Sequence, residues 1–315
     1  MRINQQMPNL FILGVQKAGT TSLHNWLSKH VEIYSNENLK DVDFFLNPKR
    51  KNDPGFHLKN YIKTFNNQKI LLQTHVNYIL YEKALQQIKK ACGNNPKFIL
   101  VLRDPVDRAK SAYKYFVKVL RETREPEQAL IYEPCEIIDY SVANNDFTYI
   151  EHGFYFKQLQ VYEKYFSMDN LLIINFEDII NKPENVVAKV FKFVGVDPDF
   201  IPSFKKLNVT GAVKHKKLQE ALYKSSKIKT FFIKVIDPVF NFKQRRKLKQ
   251  WIMEYNTSIG DSDISFDRKI DEYLFEQFRH DLQKLVTNYQ LKFVANWIGK
   301  YEKRNLSNYN QDFKK

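Results

Sequence analysis

Four short apolar runs restrict the fold of this chain more than any other feature. None of them alternates polar with apolar residues, which is typical of strands buried on both faces of a parallel sheet. Helical patterns separate them, and this βαβ order is that of an α/β protein. The predicted strands are Leu10–Gly14, Ile70–Gln73, Phe98–Leu102 and Leu171–Asn175, and the predicted helices are Thr21–Lys29, Tyr78–Ala91, Pro105–Leu120, Phe154–Phe166 and Pro183–Val194.

The last third of the chain carries helical patterns alone. Strand signals fade after Gly195, and helices are predicted at Lys227–Ile236, Lys243–Tyr255 and Arg268–Trp297. Since the sequence has no internal repeat and no linker, we predict one domain over residues 1–300, with a helical C-terminal portion from about residue 196. Residues 301–315 form a polar tail that we expect to fray.

The net charge of +15 is concentrated in one segment. Residues 205–250 hold fourteen Lys or Arg against two acids, Glu220 and Asp237. Such a segment is a solvated face or a surface for an anionic ligand, a polyanionic substrate or an acidic membrane, and nucleic acid is not expected. With two cysteines, no signal peptide and no run of about 20 apolar residues, we expect a cytoplasmic protein.

The stretch GVQKAGTTSLHNWL follows the first predicted strand and has the form of a phosphate-binding loop. Backbone N–H groups and the positive end of a helix dipole would surround a small hollow that suits phosphate or sulfate. Gly14 and Gly19 have the spacing of a Walker A motif, but Thr20 stands where that motif has its lysine. Lys17 lies inside the loop instead, which disfavours nucleoside-triphosphate hydrolysis. We expect Thr20 or Thr21 to cap the helix.

A second motif, FILVLRDPVDRAKSAYKYF, joins another predicted strand to a helix. Arg103 ends the strand, Asp104 is the predicted N-cap and Pro105 the first helical residue. Ser111 follows in the second turn of the helix. Arginine makes charge-assisted hydrogen bonds to phosphate, and a nearby serine hydroxyl can share the same group. The motif therefore predicts a second anion site.

The motifs GVQKAGTTSL and RDPVDRAKSAY resemble the two cofactor signatures of sulfotransferases that use 3′-phosphoadenosine 5′-phosphosulfate (PAPS). The resemblance extends over nearly the whole chain and is greater to the carbohydrate and bacterial enzymes. It implies an α/β, P-loop-like three-layer fold, in which helices flank a central, mostly parallel β-sheet. It also implies transfer of the sulfo group from PAPS to a hydroxyl or amine, with 3′-phosphoadenosine 5′-phosphate (PAP) as product and no metal. The implied acceptor is a glycan or another hydroxyl-bearing molecule.

The same resemblance implies roles for individual residues. Lys17 would contact the phosphosulfate, the loop around it would hold the 5′ end of the cofactor, and Arg103 and Ser111 would bind the 3′-phosphate. The basic stretch GAVKHKKL matches a loop that covers this phosphate in related enzymes, and we predict that it is a lid. The predicted cofactor-binding residues are Lys17, Ala18, Gly19, Thr20, Thr21, Ser22, Arg103, Ser111, Lys214, Lys216 and Lys217.

Two residues are candidates for the catalytic base, the group that takes the proton from the acceptor. NLKDVDFF resembles the K-E-x-x-F-F segment of heparan-sulfate-type enzymes, whose Glu is the base, and Asp41 stands there with a side chain one methylene shorter. LLQTHVNYIL resembles the K-T-H segment of cytosolic enzymes, whose His is the base, and His75 stands there without the lysine. Asp41 is the first candidate and His75 the second, while Asp43 is less favoured than Asp41. His24 and His30 are interpreted as helix-surface residues.

Two other functions stay open from the sequence. A nucleotide kinase would share the loop and the sheet, but the lysine is displaced and no Mg²⁺-binding acid follows a strand. A non-catalytic polyanion-binding protein would keep the scaffold, since the base and the strand-end lysine are altered. The stretch KIKTFFIKVIDPVF has apolar residues at helical spacing between lysines, which predicts a helix that packs on the protein core or contacts an anionic membrane.

Overall fold

The computed structural model describes residues 7–35, 40–41, 44–46, 68–132, 148–204 and 264–312, with side chains up to residue 303. Five strands form one sheet in the order β2-β3-β1-β4-β5, and every pairing is parallel. This arrangement confirms the predicted parallel α/β fold with flanking helices. The strands are β1 Leu10–Gly14, β2 Ile33–Tyr34, β3 Ile70–Thr74, β4 Lys97–Leu102 and β5 Leu171–Asn175.

Helices cover the sheet and form the C-terminal part of the described chain. Those of the α type are α1 Thr20–Leu27, α2 Glu82–Cys92, α3 Pro105–Lys118, α4 Tyr155–Glu163, α5 Phe176–Asn181, α6 Pro183–Val194, α7 Arg268–Tyr289 and α8 Lys292–Asp312. Short 3₁₀ turns lie at Tyr78–Leu80, Glu151–Gly153 and Met168–Asn170, and a π turn at Gln128–Tyr132.

The centre of the core lies between β1 and β4. Nearly every side chain of these two strands is buried, and Phe11 stacks on Phe98 with ring centroids 5.5 Å apart. Burial on both faces explains why neither run alternates polar and apolar residues. The two strands that carry the sequence motifs are therefore neighbours in the buried part of the sheet.

Several predicted boundaries differ from the structure for local backbone reasons. The helix predicted at Tyr78–Ala91 is interrupted at Tyr81, whose backbone is extended, so that a 3₁₀ turn precedes α2. The helix predicted at Arg268–Trp297 is two helices, because Gln290 adopts a left-handed φ of 54° and ends α7. The backbone of α8 continues to Asp312, through most of the tail that was expected to fray.

The sequence analysis did not predict two of the short elements, and two of the helices that it predicts cannot be compared with the structure. Strand β2 has two residues and helix α5 has six, which is too short for a periodic pattern. The helices predicted at Lys227–Ile236 and Lys243–Tyr255 lie outside the described residues.

A buried ionic cluster joins α8 to the first turn of α3. Asp104 is the N-cap, as predicted, and accepts a hydrogen bond from the Val106 N–H at 3.0 Å. Its other oxygen accepts hydrogen bonds from Lys300 Nζ and Tyr301 Oη, each at 2.9 Å. Burial and the nearby Asp107 raise the pKa of Asp104, and the Lys300 ammonium, 2.7 Å from Asp107, offsets that effect. The backbone that follows Arg103 is thereby held from two sides.

Candidate active site

The loop between β1 and α1 requires glycine at two positions. Gly14 has φ 145° and Gly19 has φ 75°. A Cβ on Gly14 would lie 2.6 Å from the carbonyl oxygen of Val76, and a Cβ on Gly19 would lie 3.2 Å from the Phe176 ring. Close backbone packing at Gly14 and a left-handed turn at Gly19 therefore account for the two glycines.

The first turn of α1 is capped differently from the prediction. Its N-cap is Gly19, and no side chain caps the helix among the described residues. The prediction that Thr20 or Thr21 caps it is wrong, because the helix begins at Thr20 and both hydroxyls lie inside the first turn. The backbone N–H groups of Thr20, Thr21 and Ser22 lack intrahelical partners by position, and with the helix dipole they form a positive surface at the loop.

The two cations predicted from separate motifs meet at this loop. Arg103, at the end of β4, donates a hydrogen bond from Nη1 to the carbonyl oxygen of Lys17 at 3.0 Å. Its guanidinium centre lies 4.6 Å from the centroid of the Phe176 ring, which also contacts Gly19. Lys17 itself has a left-handed φ of 66°, and its Nζ lies 4.3 Å from the centroid of the Tyr115 ring. The structure thus brings Lys17 and Arg103 together.

Neighbouring cations and burial change the protonation of the lysines near the loop. Burial, followed by repulsion from Arg103 and Lys118, lowers the pKa of Lys17 from the ordinary 10.5 to about 8. Burial also lowers the pKa of Lys118. An anion at the loop would attract the Lys17 ammonium and raise the pKa of Lys17 again. The residues present therefore fit a phosphate or sulfate group.

Helix α3 presents a polar face next to the loop. Ser111, Tyr115 and Lys118 are separated by four and three residues, so they lie on one side of the helix. Ser111 is half-buried. The sequence analysis missed Tyr115 and Lys118, whose proximity to Lys17 comes from the position of α3 against the loop.

Asp41 is held near the same edge of the sheet. Its backbone N–H donates to the Thr74 carbonyl oxygen at 2.9 Å, and the Val76 N–H donates to Asp41 Oδ1 at 3.4 Å. Asp41 has a left-handed φ of 59°, and its Oδ2 pairs with the Lys40 ammonium. The side chain is nevertheless 41% exposed.

His24 supports this arrangement from inside the protein. Its Nδ1 lies 2.8 Å from Thr74 Oγ1 and its Nε2 lies 2.9 Å from Ser35 Oγ. The surface interpretation of His24 and His30 is wrong, because both side chains are buried. His30 packs against Phe200 with ring centroids 5.0 Å apart. His24 thus connects α1 to Thr74, whose carbonyl oxygen accepts the hydrogen bond from the Asp41 N–H.

His75 lies in a packed position at the end of β3. Its side chain is 3% exposed, and its ring stacks on Tyr78 with centroids 4.6 Å apart. Its Nδ1 accepts a hydrogen bond from the Asn77 N–H at 3.2 Å. The His75 ring is thus buried among these contacts, whereas the Asp41 side chain is exposed.

Some predicted site residues lie outside the described part of the chain. These are Asp43 and the lid lysines Lys214, Lys216 and Lys217. Within the described ranges, no group of three His, Cys, Asp or Glu residues is arranged to hold a metal ion. The described helices also include none with the length and apolarity that crossing a membrane requires.

Comparisons with known proteins agree with this geometry. Over 213 residues the chain is 29% identical to the bifunctional heparan sulfate N-deacetylase/N-sulfotransferase 4 of Mus musculus. The aligned region covers 62% of this chain and 23% of that protein. The chain is 21% identical over 281 residues to the membrane-associated sulfotransferase kil1 of Dictyostelium discoideum, covering 64% of this chain and 59% of that one.

A solved structure and a family profile extend the similarity. The structure superposes on the crystal structure of a sulfotransferase from Alicyclobacillus acidocaldarius with a TM-score of 0.55 and 28% sequence identity. The match covers 65% of this chain and 87% of that one. The chain spans only part of the two curated relatives, 23% and 59% of their lengths. The sulfotransferase domain profile matches residues 7–257. The chain therefore belongs to the sulfotransferase domain family.

Proposed function

We propose that this protein transfers a sulfo group from PAPS to a hydroxyl or amine group of an acceptor, by direct in-line transfer. The observation that carries the proposal is the meeting of Lys17, Arg103 and the first turn of α1. They lie at the carboxyl ends of the neighbouring strands β1 and β4, where open α/β sheets bind their ligands.

Different residues at the loop bind different parts of the cofactor. PAPS, when bound, supplies the sulfo group and leaves as PAP. The N–H groups of Thr20, Thr21 and Ser22 bind the 5′ end, and Arg103 with Ser111 binds the 3′-phosphate. Lys17 donates to the oxygen that loses its bond to sulfur, so that its ammonium stabilises negative charge as that charge develops.

Asp41 takes the proton in this mechanism. As the acceptor oxygen forms its bond to sulfur, the bond between sulfur and the phosphate oxygen breaks, and the hydroxyl proton passes to Asp41 Oδ1 or Oδ2. The left-handed backbone conformation of Asp41 and the hydrogen bond from its N–H to Thr74 fix the position of the Cα from which this short side chain extends. Exposure of the carboxylate and burial of His75 support Asp41 over His75.

The acceptor in this proposal is a carbohydrate. The name of the first relative, a heparan sulfate N-sulfotransferase, and the resemblance of the Asp41 segment to heparan-sulfate-type enzymes support it. A cytoplasmic location and contact with an anionic membrane stay predictions. The stretch on which the membrane contact depends, residues 227–240, lies outside the described residues.

Turnover of PAPS with a mixed acceptor panel tests the function. We expect PAP to be released and a glycan to gain one sulfo group, detected by mass spectrometry. Thermal shifts with PAP and with ATP give a separate measure of cofactor choice, and PAP should stabilise the protein more. PAP binding without turnover on any acceptor would indicate the polyanion-binding alternative, and preference for ATP would indicate the kinase.

Arg103→Ala is expected to weaken PAP binding by about 10- to 150-fold, the equivalent of a hydrogen bond to a charged group. Arg103→Lys keeps the charge but loses the planar fork, so we expect an intermediate affinity. The measurement is calorimetric titration with PAP. Arg268, an exposed arginine paired with Glu272 on α7, gives the matched control Arg268→Ala, which should bind PAP as the wild type does. Unchanged affinity in Arg103→Ala would rule out the 3′-phosphate assignment.

A further inference from the structure

Tyr115 lies in the active site but has no part in the mechanism described above. It is on α3, four residues after Ser111 and three before Lys118, and its ring faces the Lys17 ammonium at 4.3 Å from the centroid. This distance is within the range of a cation–π contact. The side chain is 38% exposed, so the ring is not a core residue that happens to adjoin the loop.

The position of the Lys17 side chain needs an explanation that the loop backbone does not supply. Arg103 holds the Lys17 carbonyl oxygen, but the ammonium is at the end of a flexible four-carbon chain. Two cations, Arg103 and Lys118, repel that ammonium. Before an anion is present, this repulsion favours rotation of the side chain away from the loop. A ring face with negative potential is the feature that opposes it.

We propose that Tyr115 is a positioning residue of the sulfo-transfer site, whose ring holds the charged ammonium of Lys17 beside the phosphate loop before PAPS binds. This inference deepens the proposed function and rests on it. Tyr115 acts through Lys17 and takes no part in bond making or breaking. The ring, rather than its hydroxyl, is the working group, so phenylalanine should substitute for tyrosine and an aliphatic residue should not.

Three variants separate these possibilities. Tyr115→Phe keeps the ring and loses the hydroxyl, whereas Tyr115→Leu keeps apolar volume and loses the ring. Tyr132→Leu is the matched control, because Tyr132 is another exposed tyrosine, 61% accessible, in the π turn Gln128–Tyr132. Each variant is measured for kcat, for PAP affinity and for the number of protons taken up when PAP binds, from calorimetry in buffers of different ionisation enthalpy.

Proton uptake reports on Lys17 and is independent of turnover. Lys17 has a pKa of about 8 in the free protein, so PAP binding near pH 8 should draw a proton onto it. Without the ring, the ammonium is less stabilised and the pKa of Lys17 falls further. Tyr115→Leu should therefore take up more protons than the wild type just below pH 8, while Tyr115→Phe and Tyr132→Leu should match the wild type.

Turnover gives the second readout. We expect kcat of Tyr115→Leu to fall about tenfold, with PAP affinity changing less, and Tyr115→Phe to stay close to the wild type. Equal proton uptake and equal kcat in Tyr115→Leu and the wild type would overturn the inference. Equal losses in Tyr115→Phe and Tyr115→Leu would also overturn it, since the hydroxyl would then be the working group. If the wild type does not bind PAP, it is the proposed function that fails.

Discussion

Lys17→Ala is expected to lower kcat by about 10²–10³-fold, the effect of removing one donor from a developing oxyanion. The affinity for PAP should fall much less, because the charge on the leaving oxygen develops mainly in the transition state. Steady-state kinetics with saturating PAPS and calorimetry with PAP measure the two quantities separately. Lys17→Met keeps the length of the side chain and tests whether the charge alone is responsible.

The control for this prediction is Lys189→Ala, since Lys189 is an exposed lysine on α6 with no role in the proposed mechanism. It should leave both kcat and PAP affinity unchanged. If turnover and PAP affinity fell by the same factor in Lys17→Ala, Lys17 would bind the ground state and the transition state equally. Its role would then be that of an anchor, and the assignment to the leaving oxygen would be wrong.

The pH dependence of Lys17 has opposite signs for binding and for stability. The ammonium form binds the anion, so PAP affinity should be highest below pH 8 and decline as the pH rises through that value. The folded pKa lies below the ordinary 10.5, so the folded state loses this proton before the unfolded state does. The contribution of Lys17 to the free energy of unfolding therefore rises between about pH 8 and pH 10.5. Lys17→Ala should remove both effects.

Local patterns were enough to predict the four longer strands and the two cations that the structure brings together at the loop, Lys17 and Arg103. The apolar runs predicted the boundaries of the four longer strands to within one residue, because a strand buried on both faces has few polar positions. Lys17 and Arg103 were identified because each adjoins a strand end whose flanking glycine or Asp-Pro pair is visible in the sequence. The hydrogen bond between them could not be predicted. Lys17 and Arg103 are 86 positions apart in the chain, and they meet only because β1 and β4 are neighbours in the sheet.

The remaining part of the site depends on contacts that leave no local pattern. Tyr115 and Lys118 looked like ordinary helix residues, and only the position of α3 against the loop places them beside Lys17. His24 was misread because a helix of eight residues gives a weak indication of which face is buried. Its contacts are with Thr74, the last residue of β3, and Ser35, the residue after β2, and both follow it in the chain.

Asp41→Asn is expected to lower kcat by about 10²–10⁴-fold, the contribution of a positioned general base. The amide cannot accept the acceptor proton, but it can still accept the hydrogen bond from the Val76 N–H, so the loop should keep its position. PAP affinity should stay close to the wild-type value, since Asp41 contacts the acceptor rather than the cofactor. Kinetics with the identified acceptor and calorimetry with PAP make the comparison.

Two further variants decide between the candidate bases. Asp199→Asn removes an exposed carboxylate elsewhere and should leave kcat unchanged. His75→Asn replaces the ring with an amide whose oxygen can accept the Asn77 N–H in place of Nδ1. It loses the stacking on Tyr78, so it should lower thermal stability more than turnover. If His75→Asn is folded but inactive while Asp41→Asn keeps the wild-type rate, the base is His75, and the exposed carboxylate of Asp41 serves only to hold Lys40 and the Val76 backbone in place.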